Sequence, residues 1–386
     1  MYKIEKNVIN ILNINLIGED LVADTPFFID DFLRQAVTVG ASDIHLGVGE
    51  RPAIRVAGQI MRINLPPLTE EDLDLTIKTI APEHLKDRIS RFFDIDFSYE
   101  IPQFSRFRVN LSHQLAKSAI VFRVIPYYIK SFEELNLPKT IEDFADFNNG
   151  IVLITGPTGS GKSTTIASLI DFINEKYAKH IVTIEDPVEF IYTNKKSIVS
   201  QRQLLIDTPS FTDGIKYALR QDPDVIFIGE IRDRETVEAA LNAAETGHMV
   251  VSTIHTNDAV QTVNRIVNFF EPNERSFVRQ QLSNTLRGTI AQKLVPTVDG
   301  DSRLPAPEVL VVTPPVIDFI AKDELERVYE LVKQGSYNNM VTMNMSLYRL
   351  YEEGKITKET ALYYSDSKSE LEQMIRGVYH GTGVNN

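Results

Sequence analysis

The sequence contains no cysteine, which excludes disulfides and any Cys-ligated zinc site. No apolar run approaches the roughly 20 residues needed to cross a bilayer. The first 20 residues place acids and asparagines among their apolar positions and show no small-residue cleavage pattern, so they do not read as a signal peptide. Positive charge is also short. There are 40 Lys and Arg against 53 Asp and Glu, giving a net charge of −13 and a pI near 5.1. A chain of that sign is poorly suited to gripping phosphate backbones along its length. Internal repeats and low-complexity runs are missing too. Together these absences predict a soluble, cytoplasmic protein with no direct nucleic-acid contact, reaching a membrane only through partners.

What is present is enough for ordinary packed cores. The chain has 386 residues, 43% of them apolar, which suggests two or three domains. Its strongest signal is Gly156-Pro157-Thr158-Gly159-Ser160-Gly161-Lys162-Ser163, a match to G-x-x-x-x-G-K-[ST]. The β-branched run Gly150 to Thr155 precedes it as a buried strand would, and Thr164 to Tyr177 follows with Ile166, Leu169, Ile170 and Ile173 at helical spacing. Glycines let such a loop curl until its N–H groups face phosphates, and the helix N-terminus adds positive potential. Gly156 to Thr164 are therefore read as ATP-binding, with Lys162 on the β and γ phosphates and the Ser163 hydroxyl on Mg²⁺.

Before that loop the pattern predicts a small α+β domain over residues 26–126, preceded by an extension at 1–25. Helices are expected from Phe27 to Val39 and from Glu70 to Ile80, and strands at 41–46, 53–60, 106–110 and 118–125. Residues 127–149 read as a linker with a short helix at 141–147. Beyond the loop, strands and helices alternate, which predicts a parallel sheet wrapped by helices over 150–377. Strands at 180–184, 225–228 and 249–254 each run into polar residues at the sheet's carboxyl edge, where ligands bind in such folds. From Asn273 onward the chain reads as mostly helical, with a strand at 307–313 and a helical bundle at the end. Residues 378–386 read as a disordered tail.

Polar residues at those strand ends supply the candidate chemistry. Glu230 follows Gly229, where many phosphate-loop ATPases place an Asp, and so remains to polarise the attacking water. Glu185, Asp186 and Glu189 would repel a triphosphate unless a cation intervenes, which suits Mg²⁺-shell and water-positioning groups, with Asp186 as the metal candidate. A lone histidine is usually a satisfied core or surface residue. His255 differs in ending a third strand, which points to sensing the γ-phosphate or linking subunits. Arg106, Arg108 and Arg123 taken alone are strand-face arginines, yet a guanidinium also suits developing phosphate charge delivered from another domain.

These stretches resemble the hexameric secretion ATPases of bacterial type IV pilus, type II and type IV secretion systems, most closely the PilT-type pilus retraction motors. The resemblance rests on Ala41 to Leu46, Arg106 to Asn110, Gly156 to Ser163, Thr183 to Phe190, Ala218 to Asp224, Gly229 to Asp233, Ala243 to His248 and Thr253 to Thr256. It implies a PAS-like first domain, a RecA-like second domain and a homohexamer acting on a polytopic inner-membrane platform protein to drive pilus retraction. It also implies that Glu230 is the catalytic glutamate, Glu185 to Glu189 the aspartate box, His255 the histidine box, and Arg106, Arg108 and Arg123 the arginines that close on the nucleotide. The absence of cysteine sets the chain apart from extension motors with a four-cysteine zinc insertion. Val316 to Ala321, by contrast, stands where retraction motors have Ala-Ile-Arg-Asn-Leu-Ile. Pro209 to Gly214 and Gln292 to Val298 resemble the ATPases of type IVB secretion and conjugation systems, the alternative reading. A RecA-like nucleic-acid translocase, a kinase, or a nucleotide-gated structural partner are the other classes this fold admits.

Overall fold

The computed structural model describes residues 27–56, 58–89, 94–125, 128–300, 302–333 and 339–377. The expected N-terminal extension and C-terminal tail lie outside these residues. The chain divides into two compact units, 1–128 and 129–386.

The first unit is an antiparallel sheet in the order β3-β2-β1-β6-β5-β4. Its strands are β1 (Ala41–Gly47), β2 (Ala53–Val56), β3 (Gln59–Arg62), β4 (Asp94–Ile101), β5 (Ser105–Gln114) and β6 (Lys117–Ile125). Helices Ile29–Thr38 and Glu70–Ile80 bury Leu33 and Leu73 among Ile44, Phe107 and Phe122. The second helix starts where a reciprocal cap ties Thr69 to Asp72, with the Asp72 N–H donating to Thr69 Oγ1 (3.2 Å) and the Thr69 N–H to Asp72 Oδ2 (2.8 Å). β4 was not anticipated, although Ile95, Phe97 and Ile101 are buried while Asp94 and Asp96 face water. Its interleaved acids hide the apolar alternation.

The second unit is a seven-stranded sheet in the order β13-β12-β7-β11-β10-β8-β9. It comprises β7 (Gly150–Thr155), β8 (His180–Glu185), β9 (Ile198–Gln203), β10 (Val225–Ile228), β11 (Met249–Ile254), β12 (Leu286–Pro296) and β13 (Arg303–Val311). All neighbours run parallel except the β12–β13 pair. β7 is buried on both faces, which is why its sequence is continuously apolar. Ile151 and Leu153 face the layer containing helices Arg234–Glu245 and Arg275–Thr285, and Val152 and Ile154 face helix Lys162–Lys176.

Two expectations need correction. Residues 129–149 do more than connect: Phe132, Leu137, Ile141 and Phe144 are buried in the same layer as Val152 and Ile154. The region after Asn273 contains two long strands, and the 11-residue β12 was not foreseen. Gly288, Thr289, Gln292 and Lys293 break its apolar pattern, and a strand buried on both faces has no period of two to betray it. Helices Met343–Glu352, Lys358–Tyr364 and Lys368–Ile375 pack against Val295 and Ala306 of the β12–β13 pair. No helix among the described residues is long and apolar enough to cross a membrane.

Candidate functional site

The site lies at the carboxyl ends of β7, β8, β10 and β11. β7 delivers the chain into a loop whose glycines adopt left-handed conformations: φ is +143° at Gly156, +78° at Gly159 and +89° at Gly161. Gly156 has a second constraint, since a Cβ there would lie 2.4 Å from the Gln292 carbonyl oxygen. Gly161 caps helix Lys162–Lys176. Pro157, Thr158 and Gly159 are exposed, while Lys162, Ser163 and Thr164 are half-buried at the helix start.

Lys162 folds back on this loop, donating from Nζ to the carbonyls of Gly156 (2.9 Å) and Pro157 (3.0 Å). Burial lowers its pKa, and the carboxylates of Glu230 and Glu189 oppose that shift. Ser160 is buried, and its Oγ has no hydrogen-bond partner. Curled glycines, a lysine satisfied only by its own loop and an orphaned hydroxyl fit an anionic ligand.

Across from the loop, the turn after β10 is stitched to both neighbouring strands. The Gly229 N–H donates to Ile184 O (2.8 Å), Thr253 Oγ1 donates to Gly229 O (2.7 Å) and the Ile231 N–H donates to Thr253 O (2.9 Å). A Cβ at Gly229 would sit 3.3 Å from the Glu185 Cα, so an Asp would crowd the position. Glu230 is held between two groups: Arg232 Nε at 2.7 Å from Oε2 and His255 Nε2 at 3.3 Å from Oε1. Arg232 also reaches Asp186 at 3.5 Å. The structure thus links His255, Glu230 and Asp186 in one chain that runs His255–Glu230–Arg232–Asp186, through Arg232, a residue that sequence reasoning did not single out. Its signal was its place two residues after Glu230.

Glu185 sits apart from that cluster. It is buried at the end of β8, accepting from Thr183 Oγ1 (2.6 Å), Gln201 Nε2 (3.3 Å) and the Glu189 N–H (3.4 Å). Burial pushes its pKa up to about 7 despite these bonds. Asp186 and Glu189 are exposed at the rim above it. Among the described residues no group of three or more acidic or histidine side chains is arranged to hold a metal on its own.

The three arginines lie in the first unit. Arg108 and Arg123 are direct cross-strand partners on β5 and β6, and Arg106 shares their face, opposite buried Phe107 and Phe122. Arg123 Nε donates to Asp43 Oδ1 (3.0 Å), and Arg55 approaches the same carboxylate at 3.7 Å. Arg108 is 3.9 Å from Asp96. Arg106 Nε is buried without a hydrogen-bond partner.

Fold and loop together define an α/β phosphate-loop nucleotide-binding protein. The family is narrower: the sequence profile of the "Type II/IV secretion system protein" family matches residues 22–377, and the chain belongs to it. The chain is 41% identical over 333 residues to the type IV pilus retractation ATPase PilT of Pseudomonas aeruginosa, covering 86% of this chain and 96% of that protein. The crystal structure of the pilus retraction motor PilT with bound ADP is similar with a TM-score of 0.84 and 43% identity, over 90% of this chain and all of that one. The ATPase DotB of Legionella pneumophila is similar with a TM-score of 0.77 and 32% identity, over 93% of this chain and 98% of that chain.

Proposed function

We propose that this protein is an ATP hydrolase that powers type IV pilus retraction as a homohexamer, working on a polytopic inner-membrane platform protein from the cytoplasmic side. The observation that carries the reading is the pairing of a phosphate cradle at Gly156 to Thr164 with a held carboxylate, Glu230, close enough to act on the charge of Lys162. Support for the retraction assignment comes from the two PilT comparisons, one of them a structure with ADP bound.

In this reading the first unit is PAS-like and the second RecA-like. The amides of Gly156 to Thr164 bind the polyphosphate, and Lys162 leaves its two loop carbonyls for the β and γ oxygens. Glu230 takes a proton from the attacking water as the bond to the γ-phosphoryl group breaks. His255, 3.3 Å from Glu230 Oε1, senses the γ-phosphate or links subunits. The Ser163 hydroxyl, with the Asp186 carboxylate as the second candidate, would hold Mg²⁺, which would supply positive charge to the polyphosphate. Glu189 at the rim and Glu185 beneath it complete the acidic side. Arg106, Arg108 and Arg123 supply guanidinium charge during turnover.

A second reading, an ATPase of a type IVB secretion or conjugation system, draws on Pro209 to Gly214 and Gln292 to Val298. Three experiments together test the readings. Purified protein should hydrolyse ATP and scatter light as a hexamer, Lys162→Ala should lose ADP binding, and the deletion strain should keep surface pili but fail to retract them. Normal retraction in that strain would eliminate the pilus assignment, and a monomer acting on a small acceptor would eliminate the motor.

A further inference from the structure

The phosphate loop is fastened from the neighbouring strand as well as from within. Gln292 lies in β12 and is 2% exposed, following buried Ile290 and Ala291. Its Nε2 donates to the Ser160 carbonyl (2.8 Å), and its Oε1 accepts from the Thr165 hydroxyl (2.8 Å). A single amide therefore grips the chain on both sides of Gly161, Lys162, Ser163 and Thr164. Contact is close enough to dictate the neighbours: a Cβ at Gly161 would lie 2.7 Å from Gln292 Nε2, and one at Gly156 would lie 2.4 Å from the Gln292 carbonyl oxygen.

Packing alone does not explain a glutamine here. Leucine or methionine would fill similar volume without the desolvation cost of an amide, a cost recovered only when donor and acceptor are both bonded. Both are bonded, and both bonds go to the nucleotide loop and its helix. We propose that Gln292 is a positioning residue for the nucleotide: it fixes Ser160 and Thr165 so that the segment between them is ordered before ligand arrives. Within the segment the Ser160 N–H donates to Pro157 O (3.2 Å) and the Thr165 N–H to Gly161 O (3.1 Å), but Ser160 Oγ has no partner and the Lys162 bonds to the loop carbonyls are given up when phosphate binds, so Gln292 adds the tie from outside the loop. The inference rests on the nucleotide-binding reading above and deepens it.

If release of the loop lowers its binding-competent fraction to about a tenth, apparent affinity falls about tenfold with little effect on the chemical step. In the full-length assembled protein, Gln292→Leu should raise the ATP KM and the ADP Kd about tenfold, with kcat changed by less than about threefold. Gln292→Glu adds a readout that ordinary strand packing would not move. At pH 8.5 the introduced carboxylate has no proton to donate to the Ser160 carbonyl, and KM should rise as in Gln292→Leu. Near pH 6 the protonated acid regains both bonds, so the KM ratio of variant to wild type should fall at least about threefold. That window is reachable, because burial pushes Glu308, on the paired strand β13 opposite Ala291, up to about 7.

Wild-type KM and ADP Kd in both variants would overturn the proposal. So would a KM ratio for Gln292→Glu that stays flat with pH, or a lowered melting temperature with unchanged KM. Should Gln292→Leu fail to fold, the pH dependence of Gln292→Glu decides the matter. Wild-type protein that neither binds ADP nor hydrolyses ATP would instead refute the proposed function, and this inference with it.

Discussion

Glu308 on β13 is 3% exposed, and its Oε1 accepts from the Ala259 N–H at 2.7 Å, which anchors the loop four residues past His255. Burial, with Asp258 and Asp366 nearby, raises its pKa from the ordinary 4.5 to about 7. Below about 4.5 folded and unfolded chains both hold the proton, and nothing is lost. Between there and about 7 only the folded chain holds it, so stability falls as pH rises; above 7 the loss is complete. The interval from 4.5 to about 7 corresponds to about 3 kcal/mol. Glu308→Gln keeps an oxygen for Ala259 and never ionises. Its stability relative to wild type should therefore rise by about 2–3 kcal/mol between about pH 4.5 and pH 8. Any cost of the added amide hydrogens is a constant offset, so the slope against pH is the test. Urea midpoints of nucleotide-free wild type and variant from pH 5 to 8, multiplied by m, give that slope. A difference that stays constant with pH, or one that favours wild type increasingly toward pH 8, would refute the reasoning.

Glu230→Gln should bind ATP normally and hydrolyse it at least about a hundredfold more slowly, the scale of a lost general base; near-normal turnover would remove its assigned role. Arg106→Ala should leave ATP affinity intact while slowing hydrolysis, whereas equal loss of both would mark the arginine as structural. Gly288→Ala would push a Cβ to 2.2 Å from the buried Phe144 ring. Overpacking of that kind costs about 1–3 kcal/mol and should lower the melting temperature by several degrees; an unchanged melting curve would show that the ring can shift.

Much of the phosphate-binding half could be read directly because its pattern is local. The β-branched run at Ile151 to Ile154, the glycines of the loop and the helical spacing after it all follow one another in sequence, and the structure keeps them contiguous. The polar strand ends were legible for the same reason: Glu230 and His255 each close an apolar strand. Arg232, Gln292 and Glu308 were not, because their importance comes from partners distant in sequence. Gln292 meets Ser160 across 132 positions, and Glu308 meets Ala259 across 49. Glu185 shows the opposite limit: its identity as an acid at a strand end was plain, but its inward direction depends on Thr183 and on Gln201 from β9. β4 and β12 escaped notice because acids mask the first and polar interruptions the second.

β12 lies between β7 and β13, although β8 through β11 all come before it in the chain. During synthesis, then, the strand that feeds the phosphate loop stays an open sheet margin until Leu286 to Pro296 has left the ribosome. A nascent or truncated chain ending before that segment presents Ile151 to Thr155 with unpaired backbone groups, the kind of edge that recruits foreign strands. Folding of the nucleotide unit is therefore bound to complete late, and chaperone protection of intermediates should matter most while this strand is still missing.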